Sequence, residues 1–161
     1  MAGHIIYVHA TIPAGRQTVW DVITDVEHAD QVFRSVHDST LVSDGPFGVG
    51  TTWREKRSIF GHRGEEELHV VECEPPGALT IETRLRNDVV RTVYRLTSFG
   101  EGDHSTRLAM TTSVQMQDRS AVERLAWKFF GGFSYEHTHR MLEHDLEDIT
   151  AEVARRKQVS V

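Results

Sequence analysis

Between His37 and Val114 the chain alternates apolar and polar residues, and turn-forming residues punctuate that alternation throughout. In 79–85, Leu79, Ile81, Thr83 and Leu85 fall on one side and Thr80, Glu82 and Arg84 on the other. In 89–97, Val90, Thr92, Tyr94 and Leu96 oppose Arg91 and Arg95, and in 106–114, Leu108, Met110, Thr112 and Val114 oppose Arg107, Ala109, Thr111 and Ser113. A period of two places successive side chains on opposite faces of a strand, so these segments predict a sheet covered on one side only. The interruptions are Asp44-Gly45-Pro46-Phe47-Gly48, Gly61-His62-Arg63-Gly64, Pro75-Pro76-Gly77, Asn87-Asp88 and Gly100-Glu101-Gly102-Asp103. Turn chemistry at that spacing predicts a meander of antiparallel hairpins.

A one-sided sheet needs a cover, and both ends of the chain supply candidates. Residues 4–12 are apolar and β-branched and read as a first strand, ended by Pro13 and Gly15. A helix is expected from about Gln17 to Val26, with Val19, Trp20, Val22 and Ile23 on its apolar stripe, and a second short helix over 27–34. Near the C-terminus Leu142, Leu146, Ile149 and Val153 recur at spacings of four, three and four. Ser120-Ala121-Val122-Glu123 fits a capping box. One helix from Arg119 to Arg156 would be about 57 Å long, whereas a domain of this size is about 40 Å across. Gly131-Gly132 is therefore the expected break, with the long helix after it.

The 161 residues are expected to form one domain, and a chain of this length can bury a sizeable core. The single cysteine, Cys73, excludes an internal disulfide and reads as a small buried residue. A formal net charge of -6 argues against nucleic acid, whose phosphates need a basic face. With no signal peptide or membrane-length apolar run visible, no integral membrane association and a cytoplasmic location are expected. Two charge runs, Glu65-Glu66-Glu67 and Arg155-Arg156-Lys157, read as solvated surface. Ten histidines invite a metal, but His137, His139 and His144, among Glu136, Glu143, Asp145 and Asp148, form no metal-ligand pattern and read as a solvated helix face. On that helix His139 stacks with Glu143 and His144 with Asp148.

The order of these elements, an α+β arrangement, resembles the START-like (SRPBCC) helix-grip superfamily: about seven antiparallel strands, two short helices after strand one, and a long C-terminal helix on the concave face. Ile12-Pro13-Ala14 with Val19-Trp20-Asp21-Val22-Ile23-Thr24-Asp25 resembles that superfamily's entry motif. Gly48-Val49-Gly50-Thr51-Thr52-Trp53-Arg54 is similar to its third-strand entry, and Val70 through Leu79 to its fourth-to-fifth-strand corner. Thr106-Arg107-Leu108 resembles its last hairpin. The match is best to the bacterial polyketide cyclase/dehydrase and lipid-transport branch and covers nearly the whole chain. It implies a cavity between sheet and helix for a small hydrophobic or aromatic ligand, with no cofactor. It leaves three functions open: a cyclase or dehydrase-like enzyme; a carrier or sensor of lipid, quinone or another metabolite; and a chaperone-activator-like protein-binding module.

Several residues are candidates for such a cavity. Trp53, Glu55, Arg57 and Ile59 share one face of the third strand. If that face is inward, a carboxylate and a guanidinium are buried together and must pair with each other or with a ligand. Arg57 would then hold a phenolate or enolate oxygen, as ring closure requires; a surface ion pair on a twisted strand is the competing reading. Tyr94 either donates its hydroxyl to a ligand carbonyl or is a core tyrosine satisfied by backbone. Thr83, Thr92, Met110 and Thr112 share the inward faces of their strands. The aromatic segment Trp127-Lys128-Phe129-Phe130-Gly131-Gly132-Phe133-Ser134-Tyr135 is either core beneath the helix break or a hinged lid that brings Phe133 and Tyr135 to the ligand. Exposed, it would be a dimer or membrane-docking patch. Oligomeric state is not legible in the sequence.

Overall fold

A computed structural model of the chain describes residues 4–59, 62–85, 88–115 and 135–160. The fold is α+β. Seven antiparallel strands form one sheet in the order β1-β7-β6-β5-β4-β3-β2. They are β1 (His4–Ile12), β2 (Val36–Leu41), β3 (Thr52–Ile59), β4 (His62–Glu74), β5 (Ala78–Leu85), β6 (Asp88–Ser98) and β7 (Thr106–Gln115). Strands β2 to β7 follow one another as hairpins, and β1 closes the far edge against β7, pairing Ile6 with Thr112 and Val8 with Met110.

The alternation resolves into an inner face as expected. Leu79, Ile81 and Thr83 of β5 and Leu108, Met110, Thr112 and Val114 of β7 are buried. Thr80, assigned to the outer face, is buried as well, with its hydroxyl donated to Glu72 Oε2 at 2.8 Å. A shift in the β4–β5 pairing between Val70 and Glu72 locally disturbs the strict alternation there.

Helix α1 (Arg16–Ile23) follows β1 and buries Val19, Trp20, Val22 and Ile23. It stops three residues short of the expected Val26: the Thr24 hydroxyl folds back onto the Trp20 carbonyl at 2.8 Å and the Asp25 N–H onto Val22. The second helix is likewise shorter than the 27–34 expected. A 3₁₀ turn (Val26–His28) leads into α2 (Ala29–Val32), and Phe33 is already extended. Gly15 sits where α1 meets the β6–β7 turn. A Cβ there would lie 2.7 Å from the Asp103 carbonyl oxygen, and the next N–H, that of Arg16, donates to Asp103 Oδ1 at 3.2 Å. Glycine is required by that close approach.

The long helix α3 (Tyr135–Val159) begins after the glycine pair and buries Leu142, Leu146, Ile149 and Val153. Burying each such side chain contributes roughly 1.5–3 kcal/mol. Polar contacts also tie α3 to the helical segment after β1. Arg34 donates to Asp148 from its backbone N–H and its side chain, at 2.9 and 2.8 Å, and Arg156 reaches Asp25 at 2.7 Å. Lys157 donates to the Pro13 carbonyl at 2.6 Å.

These contacts revise two surface readings. Arg156 is half-buried in ion pairs with Asp25 and Glu152, so the 155–157 run is in part an anchor. Asp148 is buried on Arg34 rather than stacked on His144, whereas His139 does meet Glu143, at 3.6 Å. Cys73 is only half-buried, packed at the margin of the core. The capping box at 120–123, Gly131-Gly132 and the aromatic segment up to Ser134 lie outside the described residues.

Candidate functional site

The concave face of the sheet and α3 do not meet everywhere. Between them lies a cavity of about 110 Å³, lined from the sheet by β3 to β7, from the helical side by α1, α2 and Phe33, and from α3 by Thr138, Met141, Leu142 and Asp145. That is somewhat smaller than the roughly 150 Å³ cavity that admits benzene in an engineered protein core. Most of its wall is apolar or aromatic, including Ile23, Phe33, Trp53, Leu68, Ile81 and Val114.

The polar groups gather at one end. The face of β3 that carries Trp53, Glu55 and Arg57 points inward, with Trp53 2% and Glu55 5% exposed. The indole N–H of Trp53 donates to Glu55 Oε1 at 2.9 Å. Glu55 Oε2 lies 3.6 Å from Arg57 Nε, and Arg57 Nη1 donates to Asp145 Oδ2 at 3.0 Å. The guanidinium carbon sits 5.6 Å from the centre of the Phe33 ring, a cation–π contact. Arg57 is therefore held by two carboxylates and a ring, while its Nη2 makes no hydrogen bond among the described residues. Burial opposes its charge, but Asp145 and Glu55 outweigh burial and hold the proton more firmly than usual.

Tyr94 of β6 lines the same cavity, and its hydroxyl makes no hydrogen bond among the described residues. Burial, reinforced by the charge of Asp145, pushes its pKa upward despite the opposing effect of Arg57. At neutral pH Tyr94 is thus a hydrogen-bond donor that does not ionise. The threonine hydroxyls are engaged within the protein: Thr92 with Thr112 at 2.9 Å, and Thr83 with the Glu67 carbonyl at 2.8 Å.

Of the residues singled out from sequence, the structure brings Trp53, Glu55, Arg57, Thr83, Thr92, Tyr94 and Thr112 around one cavity. Met110 is not among them: it is 1% exposed and packs within the core on the same strand face. Tyr135 opens α3, and Phe133 lies outside the described residues. Two further residues belong to the site. Asp145, read from sequence as part of a solvated helix face, is 5% exposed and pairs with Arg57. Its signal was available: it precedes Leu146 of the apolar stripe and lies three residues after Leu142, at the stripe's edge. Glu66, read as the centre of a solvated acidic run, lines the cavity directly opposite Glu55 in the β3–β4 register. Only its neighbours behave as expected: Glu65 is exposed, and Glu67 pairs with Arg54 at 3.1 Å. Burial raises the Glu66 pKa, Arg57 opposes that rise and Glu55 adds to it. Burial likewise raises that of Asp145 against the pull of Arg57.

Solved structures share this fold along most of both chains. A START superfamily protein from Mycobacterium smegmatis matches 94% of this chain and 98% of its own at 14% identity, with a TM-score of 0.73. The Zhui aromatase/cyclase from Streptomyces sp. R1128 matches 96% of each chain at 16% identity, with a TM-score of 0.71. The chain adopts the START-like helix-grip fold. Norcoclaurine synthase from Thalictrum flavum, solved with dopamine and hydroxybenzaldehyde, shares the helix-grip fold over 96% of this chain and 88% of its own, at 11% identity and a TM-score of 0.69. No protein-family model matches the sequence, and no curated protein does. Among the described residues, no helix of this helix-grip chain is long and apolar enough to cross a membrane.

Proposed function

We propose that this helix-grip chain binds a small hydrophobic or aromatic molecule between the sheet and α3 and promotes ring closure or dehydration on it, as a polyketide cyclase/dehydrase does. The observation that carries this reading is the polar constellation at the end of an apolar cavity: Arg57 braced by Glu55 and Asp145, beside a Tyr94 hydroxyl with no protein partner among the described residues. A lipid or quinone carrier of this fold needs apolar contact alone, and a protein-binding module needs no cavity.

In ring closure the enol carbon of a β-ketone bonds to a carbonyl carbon as that carbonyl's π bond breaks, negative charge develops on its oxygen, and the enol proton ends on that oxygen as a hydroxyl. Donors already oriented toward that oxygen stabilise the transition state without reorganising, each by roughly 2.7–4 kcal/mol. Arg57 Nη2 and the Tyr94 hydroxyl are the donors this reading assigns. The two carboxylates that hold Arg57 fix its plane, and Tyr94 supplies a proton to share because it stays neutral.

The test has two stages. Native mass spectrometry of freshly purified protein, with solvent extraction, is expected to find an apolar or aromatic molecule, or uptake of a hydrophobic fluorophore. Turnover of a linear poly-β-ketone thioester is then compared in Tyr94→Phe, which removes only the hydroxyl, and in Arg57→Ala with Arg91→Ala as control. The expected result is a loss of turnover of about 100-fold in Tyr94→Phe, with Arg91→Ala near wild type. An empty protein that takes up no fluorophore overturns ligand binding. Retained ligand with unchanged turnover in Tyr94→Phe and Arg57→Ala overturns the catalytic assignment.

A further inference from the structure

One guanidinium does not balance the acids around this cavity. Glu55, Glu66 and Asp145 all line it, and among the described residues Arg57 is the one cationic side chain that does. A fourth acid of the wall, Asp25, is satisfied elsewhere, by Arg156 at 2.7 Å and His28 at 2.7 Å. Glu55 and Glu66 are directly opposed across β3 and β4, an arrangement that is destabilising for like charges unless something stands between them. The acceptor atoms are also incompletely used. Asp145 Oδ1 makes no hydrogen bond, and neither carboxyl oxygen of Glu66 has a hydrogen-bond or ion-pair partner, among the described residues. Facing the same space is the Tyr94 hydroxyl, likewise without a hydrogen-bond partner among the described residues. These oxygens face the cavity rather than the packed core, and acceptors beside a donor on a cavity wall, none of them used up by the protein, mark a place for a ligand's polar end.

We propose that Glu66 and Asp145 select a ligand whose polar end carries a hydrogen-bond donor, a hydroxyl, enol or ammonium group, and reject one that ends in a carboxylate. This rests on the ligand-binding reading above and narrows its substrate class. A donor placed between Glu66 and Asp145 satisfies their open oxygens, and a cationic donor also offsets the excess negative charge. A carboxylate brings a further anion into a low-dielectric space and must compete with Asp145 and Glu55 for Arg57. The enol form of a β-diketone suits both halves of the site, its carbonyl oxygen toward Arg57 and Tyr94 and its hydroxyl toward Glu66.

Three single-ring probes of similar shape separate the outcomes: phenethylamine, 2-phenylethanol and phenylacetate, titrated by calorimetry or by displacement of a hydrophobic fluorophore at pH 7.5. The amine and the alcohol are expected to bind at least about tenfold more tightly than the carboxylate, as expected for a buried site that excludes one sign of charge. In Glu66→Gln, which keeps shape and polarity, amine affinity should fall about tenfold while the alcohol stays within about twofold. Phenylacetate binding as tightly as the alcohol, or an unchanged amine affinity in Glu66→Gln, overturns the selectivity while leaving the cavity standing. If none of the three probes nor the fluorophore binds, the ligand-binding reading itself falls.

Discussion

Replacing Arg57 with methionine keeps most of the side-chain volume and removes the cation that pairs with both Glu55 and Asp145. At separations of 3.0 and 3.6 Å, each lost ion pair amounts to about 5 kcal/mol with an effective dielectric constant near 20. Most of that is offset by no longer burying the guanidinium, and removing one partner of a buried pair typically costs about 3–5 kcal/mol net. Methionine packs well against Phe33, so we expect about 3–4 kcal/mol at pH 8, a drop of roughly 6–16 °C in Tm for a chain of this length. The sign of the pH dependence follows from the acids left behind. Burial already raises the Asp145 pKa against the pull of Arg57; without Arg57 it rises further above its unfolded value, and the folded state of the variant binds more protons than the unfolded state. Its stability falls as pH rises through that raised value and recovers below it. Arg57→Met should therefore be much less destabilised at pH 5 than at pH 8, measured against wild type by urea or thermal unfolding. Arg91→Met is the control, because Arg91 pairs with Glu82 on the exposed face, where such pairs contribute about 0–1 kcal/mol. Equal Tm values for the two variants at pH 8, or a deficit that does not shrink on acidification, would refute the buried-pair account.

Glu152 accepts bonds from Arg155 and Arg156 that hold its pKa down to about 2 from 4.5, so its contribution is complete above pH 4.5 and lost as pH falls toward 2. Unfolding of Glu152→Gln should show a deficit at pH 7 that narrows below pH 4.5; a constant gap would contradict this linkage. Gly15→Ala would put a methyl 2.7 Å from the Asp103 carbonyl oxygen and should lower stability by about 1–3 kcal/mol, and a wild-type melting curve would mean that the β6–β7 turn yields freely. Ile149→Ala empties a fully buried position on α3 and should destabilise by about 2–5 kcal/mol, checked by urea titration; a change below 1 kcal/mol would show that the helix settles onto the sheet.

The parts of the site that could be read from sequence are those governed by local periodicity. Alternation within β3 grouped Trp53, Glu55 and Arg57, and alternation within β6 and β7 grouped Thr92 with Tyr94 and Met110 with Thr112. The choice of whether the β3 face turned inward needed the neighbouring strands. Glu66 was hidden by composition: three consecutive glutamates read as a solvated run, although in a strand the middle one must face away from its two neighbours. Met110 shares its face with Thr112 yet packs solidly, because alternation assigns a face and not a position along the cavity.

What the sequence determined by itself is the order of the described elements, the inner faces of β5, β6 and β7 and the apolar stripe of the last helix. These follow from periods of two and 3.6 that any chain with this patterning must satisfy to bury its apolar surface. Tertiary structure alone decided the chemistry. Arg57 and Asp145 are 88 residues apart, and only the crossing of α3 over the sheet adds the Asp145 carboxylate to the Glu55 carboxylate that β3 already places beside that guanidinium. The same crossing leaves Tyr94 without a protein partner among the described residues and closes a space in which the balance of charge matters. Local pattern records which side of an element avoids water, but not which distant group it meets there.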